Sequence, residues 1–406
     1  MRISLKTIFF ALFIFLMFLP EYFANPVFQL AQNGMFLIIT FMLIYKRYRL
    51  NRVTLAIVIH YVFLILLTAI YKYWPFDIHV LISHAKIIVC ILAIDYMMDS
   101  KPVACVNVLF YISLFYVLAD FISIILYPEG LYFVVKHWNE WSSFQSALWI
   151  LGNKNNRIMW QLILQIVTFA KFSLTGRHKS IMPYVITGIS IIASILVKSS
   201  TATVVNTLAF LGLIVANWQT RIAGRFRLKA KWVFLAFLII NIAIISGNLL
   251  TQESSFLAIL VERVLGKDLS TISARRIAWT KVLTQISQHP FGHGLINSIY
   301  APILLGSAAF TDAHNMLLDL SWEGGVISLA ALLCILFSMA KNADSLTNPR
   351  NKVMVFAFMA CFLLEGLTEA ILGQPYGWYY LIILYCVIRH LEKAPTTTQP
   401  HPIQLR

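Results

Sequence analysis

A few short stretches of the chain carry the side chains able to do chemistry. Arg275 and Arg276 precede Trp279, and the spacing Arg275-x-x-x-Trp279 puts arginine and indole on one helix face, the arginine a turn earlier. A cation there adds to the positive dipole end and unpaired N–H groups of a helix N-terminus, so the place suits an anion. Phe291-Gly292-His293-Gly294 reads as a tight turn, and Asp312-Ala313-His314-Asn315 opens a further helix, with Asp312 as the expected N-cap. His314 and Asn315 then stand at the mouth of that helix. Glu365 and Glu369 fall one turn apart near the end of an apolar stretch. A carboxylate in a membrane helix costs roughly 2.5–3.5 kcal/mol on insertion scales, so Glu369 is expected to pair with a basic residue or to orient a substrate. Lys198, just before Ser199-Ser200-Thr201, opens another helix and can approach an anion.

What must position these residues follows from composition. Of 406 residues, 59% are hydrophobic and 12% charged, and the mean hydropathy is +0.77. Soluble domains carry about 25% charged residues, so a soluble enzyme, a disulfide scaffold and a disordered chain are all excluded. Apolar runs long enough to cross a hydrocarbon core of roughly 30 Å recur throughout. The predicted fold is all-α and polytopic, with about twelve transmembrane helices. They are expected near Leu5–Leu19, Val27–Tyr45, Val53–Tyr71, His79–Met98, Pro102–Tyr127, Arg157–Ser173, Ile181–Val197, Thr201–Trp218, Trp232–Leu250, Met316–Ala340, Val353–Leu372 and Tyr376–Ile388. The first lacks a small-x-small cleavage site after Pro20 and reads as an uncleaved helix. One transmembrane domain is expected over 1–393, with a disordered cytoplasmic tail at 394–406.

The net charge of +15 is topological. Lys46, Arg47, Arg49, Arg52, Arg221, Arg225, Arg227, Lys229 and Lys231 crowd one set of connections, whereas the short connections of the other set hold only Lys72 and Lys198. The basic set marks the cytoplasm, which puts both termini inside and implies contact with anionic lipid rather than nucleic acid. Two long outer loops remain, 128–156 and 251–312. In the second, between helices nine and ten, short amphipathic helices are expected over Ser255–Leu265 and from an N-cap at Ser273 to His289-Pro290. Trp279, Val282, Leu283 and Ile286 should share the apolar face of the latter. Cys90, Cys105, Cys334, Cys361 and Cys386 all lie in apolar runs, and no C-x-x-C or Cys/His cluster is present. Small core residues, and no metal or cofactor, are the expectation.

The ordered series Arg275-x-x-x-Trp279, His289-Pro290-x-Gly292-x-Gly294 and His314-Asn315 followed by Gly325 resembles the O-antigen ligase/polymerase superfamily. The helix layout with its largest outer loop between helices nine and ten extends the resemblance over most of the chain. Ser328 departs from it, standing where the family more often has Gly, Thr or Tyr.

The resemblance implies a GT-C-like membrane glycosyltransferase. It would move a glycan from an undecaprenyl-diphosphate-linked donor to an acceptor hydroxyl, without metal, at the outer face of the bacterial cytoplasmic membrane. By resemblance, Arg275 is the diphosphate clamp, Arg276 a second donor, and His314 a general base or acceptor-orienting residue, with Asn315 beside it; Glu369, from its own placement, is the carboxylate expected to join them. Arginine suits a departing diphosphate because its planar fork binds phosphate oxygens in pairs and stays charged. Gly152-Asn153-Lys154-Asn155-Asn156-Arg157 resembles the family's Gly-x-x-Asn element, which makes Lys154, Asn155 and Arg157 candidates for sugar or phosphate binding, with Lys198 and His293. Trp138, Trp141 and Trp149 can stack on sugars or form an interfacial belt. Polymerases of capsule or O-antigen, O-antigen ligases acting on lipid A-core, and a membrane transporter are the readings carried forward. A flippase and a chain-length regulator are the implied pathway partners.

Overall fold

A computed structural model describes residues 4–71, 78–139, 142–153, 155–177, 180–218, 229–246, 269–296, 300–305 and 312–393. The helices are α1 (Leu5–Met17), α2 (Pro26–Tyr45), α3 (Arg52–Tyr71), α4 (Ile78–Ser100), α5 (Pro102–Leu126), α6 (Arg157–Leu174), α7 (Met182–Leu196), α8 (Ser200–Trp218), α9 (Ala230–Ser246), α10 (Leu269–Gln288), α11 (Tyr300–Leu305), α12 (Met316–Ser345), α13 (Pro349–Gly366) and α14 (Pro375–Lys393). A helix stands at every expected span. By length and apolar composition, α2, α3, α4, α5, α8 and α12 can each cross a membrane. The molecule is an all-α membrane protein. Its tail at 394–406 and the expected helix over Ser255–Leu265 lie outside the described residues.

Burial sorts the helices. Along α6 the run Arg157–Ala170 is buried at every position, and α14 is buried from Trp378 to Ile388. These two form the centre, with α5 and α7 against α6 and α4 against α14. A central helix needs no polar face, but the polar side chains it has must be satisfied inside. Gln165 Nε2 donates to Asn206 Oδ1 at 2.7 Å, and Asn206 Nδ2 donates to Gln161 Oε1 at 2.7 Å and to Ser194 Oγ at 3.0 Å. That network ties α6, α7 and α8 together. By contrast α2 leaves Val27, Leu30, Leu37, Phe41 and Ile44 exposed, as a lipid-facing helix must. Four cysteines are buried as expected, whereas Cys334 is exposed on α12.

Three elements depart from the expectations. The loop at 128–156 contains an antiparallel hairpin, β1 (Tyr132–Asn139) with β2 (Ser142–Leu148), Tyr132 opposite Leu148. Tyr132-Phe133-Val134-Val135 is a run of aromatic and β-branched residues, the composition that favours strands. Next, α10 starts at Leu269, ahead of Ser273, so Ser273 is not its N-cap. The helix stops at Gln288 as His289-Pro290 requires; Trp279 and Val282 are buried and Ile286 partly so, but Leu283 is exposed. Finally, α13 ends at Gly366, which places Glu369 in the turn after it rather than in a helix.

The loop after α10 is held by a broken helix. In α12, Gly325 has φ +56° and ψ −158°, which interrupts the helical ladder. Its freed groups are taken by the loop after α10. His293 N–H and Gly294 N–H donate to Glu323 O at 3.0 and 2.8 Å, and Val326 N–H donates to Pro290 O at 2.9 Å. Gly294, at φ +78°, sits so close to α3 that a Cβ there would lie 2.4 Å from Thr68 N. The adjoining Leu295 N–H donates to Thr68 Oγ1 at 2.9 Å. Below the loop, Ala278, Trp279, Val282, Ala301, Leu305, Ala313, Leu318 and Trp322 make a separate apolar cluster joining α10, α11 and α12. Gln285 spans it, donating to Leu304 O and accepting from Trp322 Nε1, both at 2.6 Å.

Candidate functional site

The site is assembled where α12 begins. Asn315, not Asp312, is the N-cap: its Oδ1 accepts from Leu317 N–H and Leu318 N–H, each at 3.1 Å. Its Nδ2 donates to Leu367 O at 3.2 Å, and the residue is fully buried. Expected to bind substrate, Asn315 instead fastens α12 to the end of α13. Asp312 takes a different task, accepting from His314 N–H at 2.7 Å. Between them His314 adopts φ +44°, a left-handed backbone unusual for a residue with a Cβ. Such strain persists only where its surroundings enforce it, and it gathers at functional sites. Here Ala313 is held from both sides, its N–H donating to Asp319 Oδ1 at 3.0 Å and its carbonyl accepting from Trp279 Nε1 at 2.7 Å.

The strained turn points the imidazole between two carboxylates. His314 Nδ1 lies 3.0 Å from Asp312 Oδ1 and 3.5 Å from Glu369 Oε2. Glu369 Oε1 accepts from Asn155 Nδ2 at 3.0 Å, and Asn155 Oδ1 accepts from Ser199 Oγ at 3.3 Å. One chain of polar contacts therefore joins the loop before α6, the start of α8, the turn after α13 and the mouth of α12. Burial alone lowers the pKa of the His314 ring, but hydrogen bonds from it to Asp312 and Glu369, and their charges, outweigh that and raise it to about 9. At neutral pH the ring is an imidazolium. Charged, it has no lone pair for a substrate proton, so of its two expected roles the raised pKa favours orientation and charge over base.

That shift has a stability consequence of definite sign. The folded pKa of about 9 lies above the ordinary 6.5, so the protonated ring stabilises the fold fully below pH 6.5 and loses this as pH rises through 9. Against His314→Gln, the wild type should show a higher unfolding midpoint at pH 6 that converges on the variant's by pH 10, read by tryptophan fluorescence on heating.

The other expected residues divide clearly. Arg157 is wholly buried; its Nη1 is 3.5 Å from Asp120 Oδ2 and its guanidinium lies 4.8 Å from the Trp149 ring centroid. Asp120 also accepts from Leu151 N–H at 2.9 Å. Arg157, expected to bind substrate, thus anchors the loop that carries Asn155, and buried charges need such pairing. Trp149 is buried, and its Nε1 donates to Tyr127 O at 2.8 Å, so it belongs to neither a sugar platform nor an interfacial belt. His293 is buried at the loop–helix junction, its Nδ1 3.1 Å from Trp322 O and its ring against His289. Burial lowers its pKa, which keeps the ring neutral there. It packs the junction rather than facing a ligand.

Lys198 is exposed in the turn between α7 and α8, at φ +56°, next to the Ser199 that reaches Asn155. Arg275 and Arg276 lie on α10, Arg275 one turn before the buried Trp279 that bonds Ala313; their side chains lie outside the description, as do Lys154 and the side chains of Trp138 and Trp141. Sequence reasoning missed Asp312 as a partner of His314, Asp319 beneath Ala313, and Ser199. The Asp312-x-His314 spacing was the signal for the first.

The matched region agrees with this layout. A family model described as O-antigen ligase matches residues 185–333, which run from α7 through the break in α12. His314, Arg275 and Lys198 fall inside it, whereas Asn155 and Glu369 come from outside. No curated protein matches the chain.

Proposed function

Starting from a chain of the O-antigen ligase/polymerase superfamily, matched over residues 185–333, we propose that it transfers a glycan from undecaprenyl diphosphate to an acceptor hydroxyl at the outer face of the bacterial cytoplasmic membrane. The observation that carries this reading is His314, held on a left-handed backbone between Asp312 and Glu369 inside the matched segment. In the reaction the acceptor oxygen attacks C1 of the donor sugar, the bond from C1 to the phosphate oxygen breaks, and undecaprenyl diphosphate leaves with the electron pair. The acceptor's proton passes to a carboxylate, since the imidazolium cannot take it. Positive charge meets the departing diphosphate: the imidazolium, with Arg275 and Arg276 from α10. Glu369 and Asn155 hold the ring in place. On this reading arginines and imidazolium take the part that a metal plays in other phosphate sites, so a chelator should leave the rate unchanged.

Elongation of a capsule or O-antigen chain is the preferred form, since Lys198 stands where ligases of the family tend to carry arginine. Transfer of finished polymer to lipid A-core uses the same site, and the description of the matched family favours it equally. Purified protein in proteoliposomes with undecaprenyl-diphosphate-linked glycan tests both: a ladder of lengths marks a polymerase, a single conjugate to added lipid A-core a ligase. No product in either case sinks the proposal. Arg275→Lys should lower the rate at least about 10²-fold, because an ammonium cannot replace a bidentate fork. Wild-type rates in that variant would make Arg275 merely positional.

A further inference from the structure

Beside His314 lies a cavity of about 490 Å³, within the range of ligand pockets. Its walls include Ser83 and His84 of α4, Asp319 and Glu323 of α12, Asp312, and Gln374 ahead of α14. Three carboxyl groups line it, and no lysine or arginine does among the described residues. With His79 and His84 in its wall but no fixed cation among the described residues, such a chamber offers a diphosphate no permanent counter-charge, and offers paired oxygens to hydroxyl groups. The charged ring itself is not in the wall; Asp312 is, and its Oδ1 also touches His314 Nδ1 at 3.0 Å. One carboxylate is therefore shared between the chamber and the ring.

We infer that this cavity is the acceptor subsite, taking the terminal sugars of the acceptor glycan, uncharged or amino-bearing rather than uronic acids, with Asp312 as the group that meets the reacting hydroxyl. The inference rests on the transferase reading of the neighbouring residues and adds to it where the acceptor sits and what charge it carries. The acceptor O–H gives its proton to the Asp312 carboxylate as its oxygen bonds C1, while the C1–phosphate bond breaks toward undecaprenyl diphosphate.

Plugging the chamber tests this. Ser83 and Gln374 are exposed and line the cavity from two different elements, so Ser83→Trp and Gln374→Trp each add bulk to it without replacing a buried side chain. Full-length variants in proteoliposomes, given the lipid-linked glycan extracted from a producing strain, are expected to form product at least tenfold more slowly. Unfolding midpoints and retention of the labelled donor should match the wild type. If either folded variant forms product at the wild-type rate while His314→Asn is inactive, the cavity is not the acceptor subsite although the transferase reading stands. If His314→Asn also forms product normally, the role given to His314 fails; if the wild type forms no product, the transferase reading itself fails. Linkage analysis of the wild-type product should find a neutral or amino sugar bearing the new bond; a uronic acid there overturns the charge assignment.

Discussion

Replacing His314 by alanine is expected to lower glycan transfer by about 10²–10³-fold, the usual loss when one preorganised group facing developing charge is removed. The protein should still reach the membrane. Two effects must be separated, because the residue is both strained and charged: its φ is +44° and its ring lies between Asp312 and Glu369. Alanine at such a dihedral costs about 1–2 kcal/mol, whereas asparagine visits that region more readily. His314→Asn should therefore unfold at a higher temperature than His314→Ala and be just as inactive. Product ladders and unfolding midpoints of the pair check this. An active asparagine variant would show that the imidazolium is dispensable.

The second large effect is structural. Gly325→Ala should prevent accumulation of folded protein or lower its unfolding midpoint steeply. A Cβ at Gly325 would lie 2.2 Å from the Phe291 carbonyl carbon, on backbone that cannot slide away. Left-handed strain and overpacking together come to about 2–5 kcal/mol, a large share of the 5–15 kcal/mol that typically holds a domain together. Gly294→Ala, pressed on Thr68, should behave alike. Size-exclusion profiles and midpoints in detergent read both, and full stability in either would mean the loop does not dock as described.

The helical layout was legible because an apolar run is a local property, and lipid leaves the backbone no alternative to a helix. The hairpin at Tyr132–Leu148 was hidden in a loop named only for its polarity and position, although its β-branched run was there to read. Glu323-Gly324-Gly325 read as ordinary helix, since nothing local announces that Gly325 will turn its back on the ladder to receive Pro290 and Gly294. Of the site, His314 was legible by its motif. Its partner Glu369 was expected within the helix, which instead ends at Gly366. That Asn155 reaches Glu369 is a contact across 214 residues, which no periodicity encodes. Asn315 and Arg157 show the reverse error: polar residues near a site read as ligands for substrate, when burial had already committed them to the protein's own backbone and charges.

The hydrogen bonds crossing the break in α12 bear on how the loop after α10 moves. Gly294 N–H and Val326 N–H are protected by each other's chain rather than by their own. Peeling residues 290–294 from the surface would break the hydrogen bonds that satisfy the helix at that level, so the segment behaves as a weld and not as a flap. Amide exchange should find these two N–H groups releasing deuterium together, at the slow rate of a shared opening event.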